Sequence, residues 1–488
     1  MAFTFEGDCN LSYAELDQDV CRMANALSAR GVKPGDRVMV QVEKSYPNVL
    51  LYLATVKAGA IYNPLNTAYT AAELDYFIGD AQPKLLVVDP GKLAALKSIA
   101  EKAGVAHIDT MAADGRGTLP DFAMTQAKTH TTAVLAADDL AALLYTSGTT
   151  GRSKGAMITH RNLSSNALTL VDYWGFTAAD VLLHALPIFH VHGLFVALNT
   201  TLLAGGRVIW QPKFDLAAVL KALPGSTVMM GVPTFYTRLL GDQSFGPGQC
   251  KKMRLFISGS APLLAETHVE FEQRTGMKIL ERYGMTETGM ITSNPYHKGE
   301  RLAGTVGYAL PEVSVRIAGD GGAILAAGEV GVLEVKGPNV FKGYWNNPEK
   351  TAEEFRADGF FVTGDLSVMA PDGRVSIVGR AKDLIITGGF NVYPKEIEDE
   401  LNALPGVAES AVIGVPHADF GEGVVAVVTS IAGATLQSEA EIIAHLGDRL
   451  AKFKLPKRVF EVADLPRNAM GKVQKAELRG RYGLTFAK

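Results

Sequence analysis

Between residues 11 and 139 the apolar positions change period repeatedly. Residues 13–30 and 46–58 carry apolar side chains at helical spacing, whereas 37–41 and 84–88 are short runs rich in β-branched residues. This alternation predicts a parallel sheet with crossover helices. The same rhythm returns after residue 163, where 208–210, 227–230 and 254–258 read as strands separated by helical stretches. Beyond about residue 299 strands follow one another closely, with glycine turns, at 313–318, 331–336 and 375–378. That texture predicts a small antiparallel sheet or barrel. After Asp383 it changes again: 394–402 and 439–452 are helical in pattern, 410–415 and 424–429 strand-like. The expected fold is therefore α/β. A large N-terminal domain, residues 1–381, holds two doubly wound α/β subdomains and a small β-barrel-like subdomain. A small α+β C-terminal domain, residues 382–488, follows a hinge near 380–383.

Length and composition sharpen this picture without changing it. At 488 residues the chain exceeds what one hydrophobic core serves, which supports several folding units. The formal net charge of -4 argues against a nucleic-acid coat or an anionic membrane surface as partner. Cys9, Cys21 and Cys250 are odd in number and lack metal-ligand spacing, so neither a disulfide framework nor a zinc site is expected, and a reducing cytoplasm fits. The first ten residues contain Glu6 and Asp8 and no basic segment before an apolar core, unlike a secretory signal. Residues 181–206 lack Asp, Glu, Lys and Arg over a length that spans a bilayer, but they include His184, Pro187, His190, His192 and Asn199. A buried strand, turn and helix is the expected structure there.

The chemistry concentrates in residues 143–162. A β-type run, Leu143-Leu144-Tyr145, enters Thr146-Ser147-Gly148-Thr149-Thr150-Gly151-Arg152-Ser153-Lys154-Gly155. Glycines free backbone N–H groups to face an anion, hydroxyls add donors, and Arg and Lys add charge, so the loop suits a polyphosphate. Composition alone leaves a flexible hairpin as the alternative. A Walker A loop is excluded, because Gly155 follows Lys154 where that motif has Gly-Lys-Ser/Thr. The whole segment resembles the signature loop of the adenylate-forming family of acyl-CoA synthetases, luciferases and peptide-synthetase adenylation domains. Five further segments resemble that family's motifs in the same order: Tyr283-Gly284-Met285-Thr286-Glu287, Thr363-Gly364-Asp365, Gly379-Arg380-Ala381-Lys382-Asp383, Gly388-Gly389-Phe390-Asn391-Val392-Tyr393-Pro394, and Pro466-Arg467-Asn468-Ala469-Met470-Gly471-Lys472.

The resemblance implies ATP, Mg2+ and CoA, and it implies a role for each matching residue. Thr146, Ser147, Gly148, Thr149, Thr150, Gly151 and Lys154 hold the β- and γ-phosphates. Thr286 meets the α-phosphate and Glu287 holds Mg2+. Asp365 takes the ribose hydroxyls with Arg380 beside it, while Tyr283 and Ser258, Gly259, Ser260 and Ala261 flank the adenine. Lys472 bridges the attacking carboxylate and the α-phosphate. The C-terminal domain is mobile about Lys382, and its rotation brings Gly388, Gly389 and Phe390 to line the channel for the pantetheine thiol. Without the resemblance, each residue has a plainer reading: Asp365 a turn cap, Glu287 a first-turn acid, Arg380 a surface ion pair, and Lys472 one more solvated charge in a basic tail.

The acid is read from two arginines. A short diacid brings a second carboxylate into the pocket, and a fixed cation must meet it. Arginine's fork suits that task. Arg238 and Arg282 lie in segments that the family places at the acyl pocket, and both fit the malonate-activating branch, as does Pro187-Ile188-Phe189-His190-Val191-His192-Gly193-Leu194. Strand alternation puts Glu281 on the face opposite Arg282. Alternation would also place His190 and His192 on one strand face, as a metal pair would be, but no carboxylate or cysteine is close in sequence. His192 is read instead as a pocket wall and hydrogen-bond donor to substrate. The expected partners are small molecules, namely malonate (with methylmalonate a second candidate), ATP and CoA. No nucleic acid, membrane span or obligate protein partner is expected. Another short acid, or a carrier protein to be loaded, is the alternative.

Overall fold

The run Arg37–Gln41 lies inside a six-stranded sheet, between Leu85–Val88 and Ile61–Pro64. This is seen in a computed structural model, which describes residues 1–146 and 153–487. Across the sheet the order is His107–Thr110, Leu85–Val88, Arg37–Gln41, Ile61–Pro64, Leu140–Thr146 and Lys154–Thr159. All neighbours are parallel except the last two, which form an antiparallel pair. Helices Tyr13–Ala29, Tyr46–Lys57, Ala71–Ala81 and Leu93–Lys102 are interleaved with these strands. The first of them starts at a capping box, in which Ser12 and Glu15 satisfy each other's backbone N–H groups. Covered on both faces, the inner strands read as continuous apolar runs, and Leu85–Val88 is buried throughout.

A nine-stranded sheet forms the second unit. Its parallel centre is Leu280–Met285, Leu255–Ser258, Val228–Gly231, Val181–His184 and Arg207–Trp210. Phe3–Thr4 adds in parallel beside Arg207–Trp210, and Gly289–Ser293 pairs antiparallel on the other side. The uncharged stretch 181–206 is the strand Val181–His184, a turn, a π-helical segment His192–Leu198 and the helix Asn199–Leu203. No helix among the described residues is long and apolar enough to cross a membrane. His190 and His192 thus lie in the turn and at the start of the π-helix, not on a strand. Gly193 is indispensable to that turn, since a Cβ there would lie 2.1 Å from the carbonyl oxygen of Pro187.

The third unit is four antiparallel strands, Ser314–Ala318, Val330–Lys336, Phe361–Met369 and Val375–Arg380, in chain order. It is an open sheet and does not close into the barrel that strand spacing also allowed, four strands being too few to curl around a filled interior. The C-terminal unit is a mixed sheet ordered Phe390–Val392, Ile385–Thr387, Gly421–Ser430 and Val407–His417, with Arg458–Glu461 parallel to Gly421–Ser430. Ile397 and Leu401 of helix Pro394–Asn402, with Ile442 and Leu446 of helix Glu439–Gly447, pack on one face; Leu478 of helix Lys475–Tyr482 packs on the other. The helix expected to reach residue 452 stops at Gly447, where glycine and then Asp448 weaken propagation. One apolar cluster joins the first two units across their interface, and Met470 of the C-terminal unit is part of it.

Candidate active site

Strand ends of the two large sheets meet where Thr146, closing Leu140–Thr146, reaches Glu287, just past Leu280–Met285; strand ends are the usual position for a ligand in open α/β sheets. At the end of Leu140–Thr146 the Tyr145 hydroxyl donates to Asp80 Oδ2 at 2.6 Å, and Tyr76 donates to the Ser153 carbonyl at 2.8 Å. These bonds moor the residues that flank the glycine-rich loop; Ser147, Gly148, Thr149, Thr150 and Gly151 themselves lie outside the described residues. Thr146 Oγ1 donates to Glu287 Oε1 at 3.3 Å. The Tyr344 hydroxyl lies 3.2 Å from that same oxygen and 2.6 Å from Glu354 Oε2. Lys154 Nζ is 3.3 Å from Glu354 Oε1 and sits over the Tyr344 ring, 4.8 Å from its centroid. Glu287 is buried, and burial holds its carboxyl above the usual range, opposed by the Tyr344 hydroxyl and by Arg380. Thr286, beside it, is half-buried. Sequence reasoning missed Tyr344 and Glu354; Glu354 is 200 residues from Lys154, and only the fold makes them neighbours.

Asp365 and Arg380 are register partners on adjacent strands, so the fold itself sets their pair. Arg380 Nε is 2.8 Å from Asp365 Oδ1, while the Tyr283 hydroxyl donates to Oδ2. Burial, then the Asp365 charge, pushes the Tyr283 phenol well above its ordinary pKa. Lys472 arrives here from the C-terminal unit, half-buried and within electrostatic reach of Arg380, Asp365, Lys382 and Asp383. Its ammonium is pushed down to about 8, first by burial and then by Arg380 and Lys382, with the two aspartates opposing.

On the other side of Tyr283 the chain builds a buried positive pocket. Arg282 is 4 % exposed, and its guanidinium lies flat against the turn after Leu255–Ser258. At Gly259 a Cβ would stand 2.3 Å from Arg282 Nη1 and 2.4 Å from Cζ. Ser260, the next residue, has φ +72, a left-handed conformation that a serine adopts at a cost and that often marks a functional turn. Its hydroxyl is 3.2 Å from His192 Nδ1. Arg282 Nε and Nη2, His192 Nε2 and Ser258 Oγ are buried with no hydrogen-bond partner among the described residues. Burial lowers the Arg282 guanidinium to about 9, and burial followed by the Arg282 charge lowers His190 to about 4 and His192 well below its ordinary value. Both imidazoles are therefore neutral. Glu281 faces the other way, its carboxylate 3.4 Å from His268 Nδ1.

Behind this pocket lies a second buried basic group, Lys44. Its Nζ donates to His184 Nδ1 at 2.8 Å, the His184 carbonyl at 2.9 Å and the Gln211 carbonyl at 2.6 Å, and sits 4.2 Å from the Trp210 ring centroid. His184 Nε2 donates to the Gly193 carbonyl at 2.8 Å. Three acceptors match the three N–H donors of an ammonium.

The remaining expected residues sit apart. Arg238, on helix Pro233–Leu240, is exposed with its guanidinium 5.8 Å from the centroid of the Phe214 ring. Ala261 is half-buried just past Ser260. Lys382 is exposed in the short turn Ala381–Asp383, next to the ion pair of Asp383 with Arg479. Gly388 and Gly389 form the turn of a hairpin with φ of +58 and +84, which suits glycine, and they are exposed. Phe390 is 55 % exposed and stacks on Phe453. No group of three or more His, Cys, Asp and Glu side chains that could hold a metal occurs among the described residues.

Comparison with known proteins agrees with this geometry. Residues 1–345 match the family model described as AMP-binding enzyme, and residues 396–472 match the AMP-binding enzyme C-terminal domain. Feruloyl-CoA synthase of Amycolatopsis sp is 38% identical over 98% of this chain and 95% of its own length. Malonate–CoA ligase of Arabidopsis thaliana is 36% identical over 92% of this chain and 78% of its own. Among solved structures, ATP-bound MatB from Rhodopseudomonas palustris superposes with a TM-score of 0.97 at 59% identity, covering 99% of this chain and 96% of that one. Apo MatB from the same organism, at 58% identity and covering 100% and 96%, gives 0.85. With the site and these likenesses in view, the chain belongs to the AMP-binding enzyme family.

Proposed function

We propose that this protein is a malonyl-CoA synthetase: ATP, malonate and CoA give malonyl-CoA, AMP and pyrophosphate through a malonyl-adenylate. A malonate oxygen attacks the α-phosphorus, the bond to the bridging oxygen of the β-phosphate breaks, and pyrophosphate leaves. The CoA sulfur, its thiol proton lost to solvent, then attacks the acyl carbon and AMP departs. The observation that carries the reading is Arg282, a buried guanidinium whose Nε and Nη2, like His192 Nε2, have no partner among the described residues. Such donors are costly to bury unless a ligand meets them. A second carboxylate accepts from both guanidinium nitrogens at once. The malonate–CoA ligases among its relatives support the same acid. A ferulate-like monocarboxylate would leave the cation unpaired.

In the first step two anions converge, and Lys472 is the cation placed to bridge them, beside the Asp365 and Arg380 pair that suits a ribose. Lys154 and Thr146 flank the triphosphate loop. Glu287, a buried carboxylate whose hydrogen-bond partners are the hydroxyls of Thr146 and Tyr344, fits Mg2+. Bound there, the ion would offset triphosphate charge. We divide the chain into an N-terminal domain, 1–381, and a C-terminal domain, 382–488, a division supported by the short turn Ala381–Asp383 between two sheets. The three free cysteines support a reducing, cytoplasmic setting.

The test is ATP- and CoA-dependent AMP release with malonate, methylmalonate, succinate, acetate and butyrate, on wild type and Arg282→Ala. Malonate is expected to lead, with methylmalonate turned over at a discrimination of about 1–3 kcal/mol for one methyl group. The lead is lost in Arg282→Ala. A wild-type preference for acetate or butyrate would sink the malonate assignment.

A further inference from the structure

Lys472 belongs to the C-terminal unit, yet it acts among residues of the N-terminal one. A lysine on a loose loop would sample many positions, so the loop must be held. Inside the loop the restraint is dense. Asn468 Oδ1 accepts from the N–H groups of Met470 and Lys472 at 3.0 Å each. Asn468 N–H donates to the Lys472 carbonyl at 3.0 Å, and Gly471 N–H to the Asn468 carbonyl at 2.9 Å. Arg467 donates to the Gly471 carbonyl at 2.8 Å and pairs with Glu409. The result is a stiff hairpin presenting Met470 and Lys472.

Met470 has no place in either apolar cluster of its own unit. It is 6 % exposed and belongs instead to the cluster shared by the two large N-terminal units. Beside it Gly471, at φ +74, approaches helix Pro233–Leu240 so closely that a Cβ would stand 3.3 Å from Thr234 Oγ1. One apolar knob and one backbone approach thus fix where Lys472 stands.

We propose that Met470 is a positioning residue, an apolar anchor that docks the Lys472 hairpin into the N-terminal domain and so selects the arrangement in which the acid is adenylated. An unbranched thioether adapts to an irregular gap without needing a polar partner. The inference rests on the adenylating reading of the site. Only the first step needs a cation between two anions. The thiol step does not, and the Gly388–Gly389 turn expected at the thiol channel is exposed while Met470 is docked. Weakening the anchor lowers the docked fraction, and the adenylation rate falls in proportion.

The experiment measures two half-reactions in wild type, Met470→Ala and Met470→Leu: malonate-dependent ATP–pyrophosphate exchange, and thioester formation from preformed malonyl-adenylate and CoA. Thermal melting is followed in parallel. Met470→Ala is expected to lose about tenfold or more in exchange, the scale of one buried apolar side chain, with thioester formation within twofold and melting unchanged; Met470→Leu restores exchange. Equal losses in both steps, or exchange within twofold of wild type, overturns the anchor. A wild type that exchanges with none of the five acids sinks the malonate reading instead, so the two failures are distinguishable.

Discussion

Lys44 and Arg282 are both buried basic side chains of the N-terminal domain, and neither has a carboxylate partner among the described residues. Their surroundings differ. Lys44 has three acceptors within 2.9 Å, so its donors are spent inside the protein. Arg282 has a glycine beneath it, neutral imidazoles near it, and Nε and Nη2 with no acceptor among the described residues. The first arrangement ties two subdomains together, since Lys44 follows a strand of the first sheet while His184 and Gln211 lie at strand ends of the second. The second waits for an anion. Burial alone therefore does not mark a ligand site; two unspent donors on one buried guanidinium single out Arg282 among the described residues.

The contrast is broken most directly at Arg282. Arg282→Met should cost about 3–5 kcal/mol of transition-state binding for malonate, roughly two to four orders of magnitude in kcat/KM. Its melting temperature should stay level or rise, because a buried unpaired charge is gone; steady-state kinetics beside a melting curve reads both. Gly259→Ala leaves the charge but moves it, since the new methyl overlaps the guanidinium. A loss of about 1–3 kcal/mol, or roughly five- to 150-fold in kcat/KM for malonate, is expected; unchanged kinetics would show that the stacking is dispensable. Lys44→Met should do the reverse of Arg282→Met. It orphans acceptors on His184 and Gln211, costing roughly 3 kcal/mol of stability seen in denaturant unfolding, with KM for malonate within about threefold. The smallest effect is in pH. Lys472 acts protonated, and its pKa is lowered to about 8, so exchange should fall by half as pH rises through about 8. Thioester formation from preformed adenylate, which does not use that cation and gains from thiol ionisation, should not fall across the same window.

Elements with strong periodicity were legible in the sequence. Arg37–Gln41 and Pro394–Asn402 fall where the pattern placed them, and the alternation that set Glu281 against Arg282 holds in the strand Leu280–Met285. Short-range pattern failed where the backbone leaves regular geometry: His190 and His192 read as strand neighbours, but the turn and π-helix give them different surroundings. The open third sheet likewise follows from strand count rather than spacing. Pairs set by topology carried no signal in sequence, among them Lys154 with Glu354 and Lys44 with His184. Motif resemblance supplied Asp365, Arg380 and Lys472. It said nothing of which arginine is buried, because Arg238 and Arg282 differ only in where their elements pack.

The short strand Phe3–Thr4 has a consequence for synthesis on the ribosome. Its parallel partner, Arg207–Trp210, is made about 200 residues later, and Phe3 is fully buried against Trp210, Tyr46 and Phe5 in the finished fold. At about 5–20 residues per second the first apolar segment waits on the order of 10–40 s before its docking strand exists. During that interval Phe3 and Phe5 are open to whatever binds nascent apolar chain at the exit tunnel, and the strand cannot close on its sheet until Arg207–Trp210 has emerged.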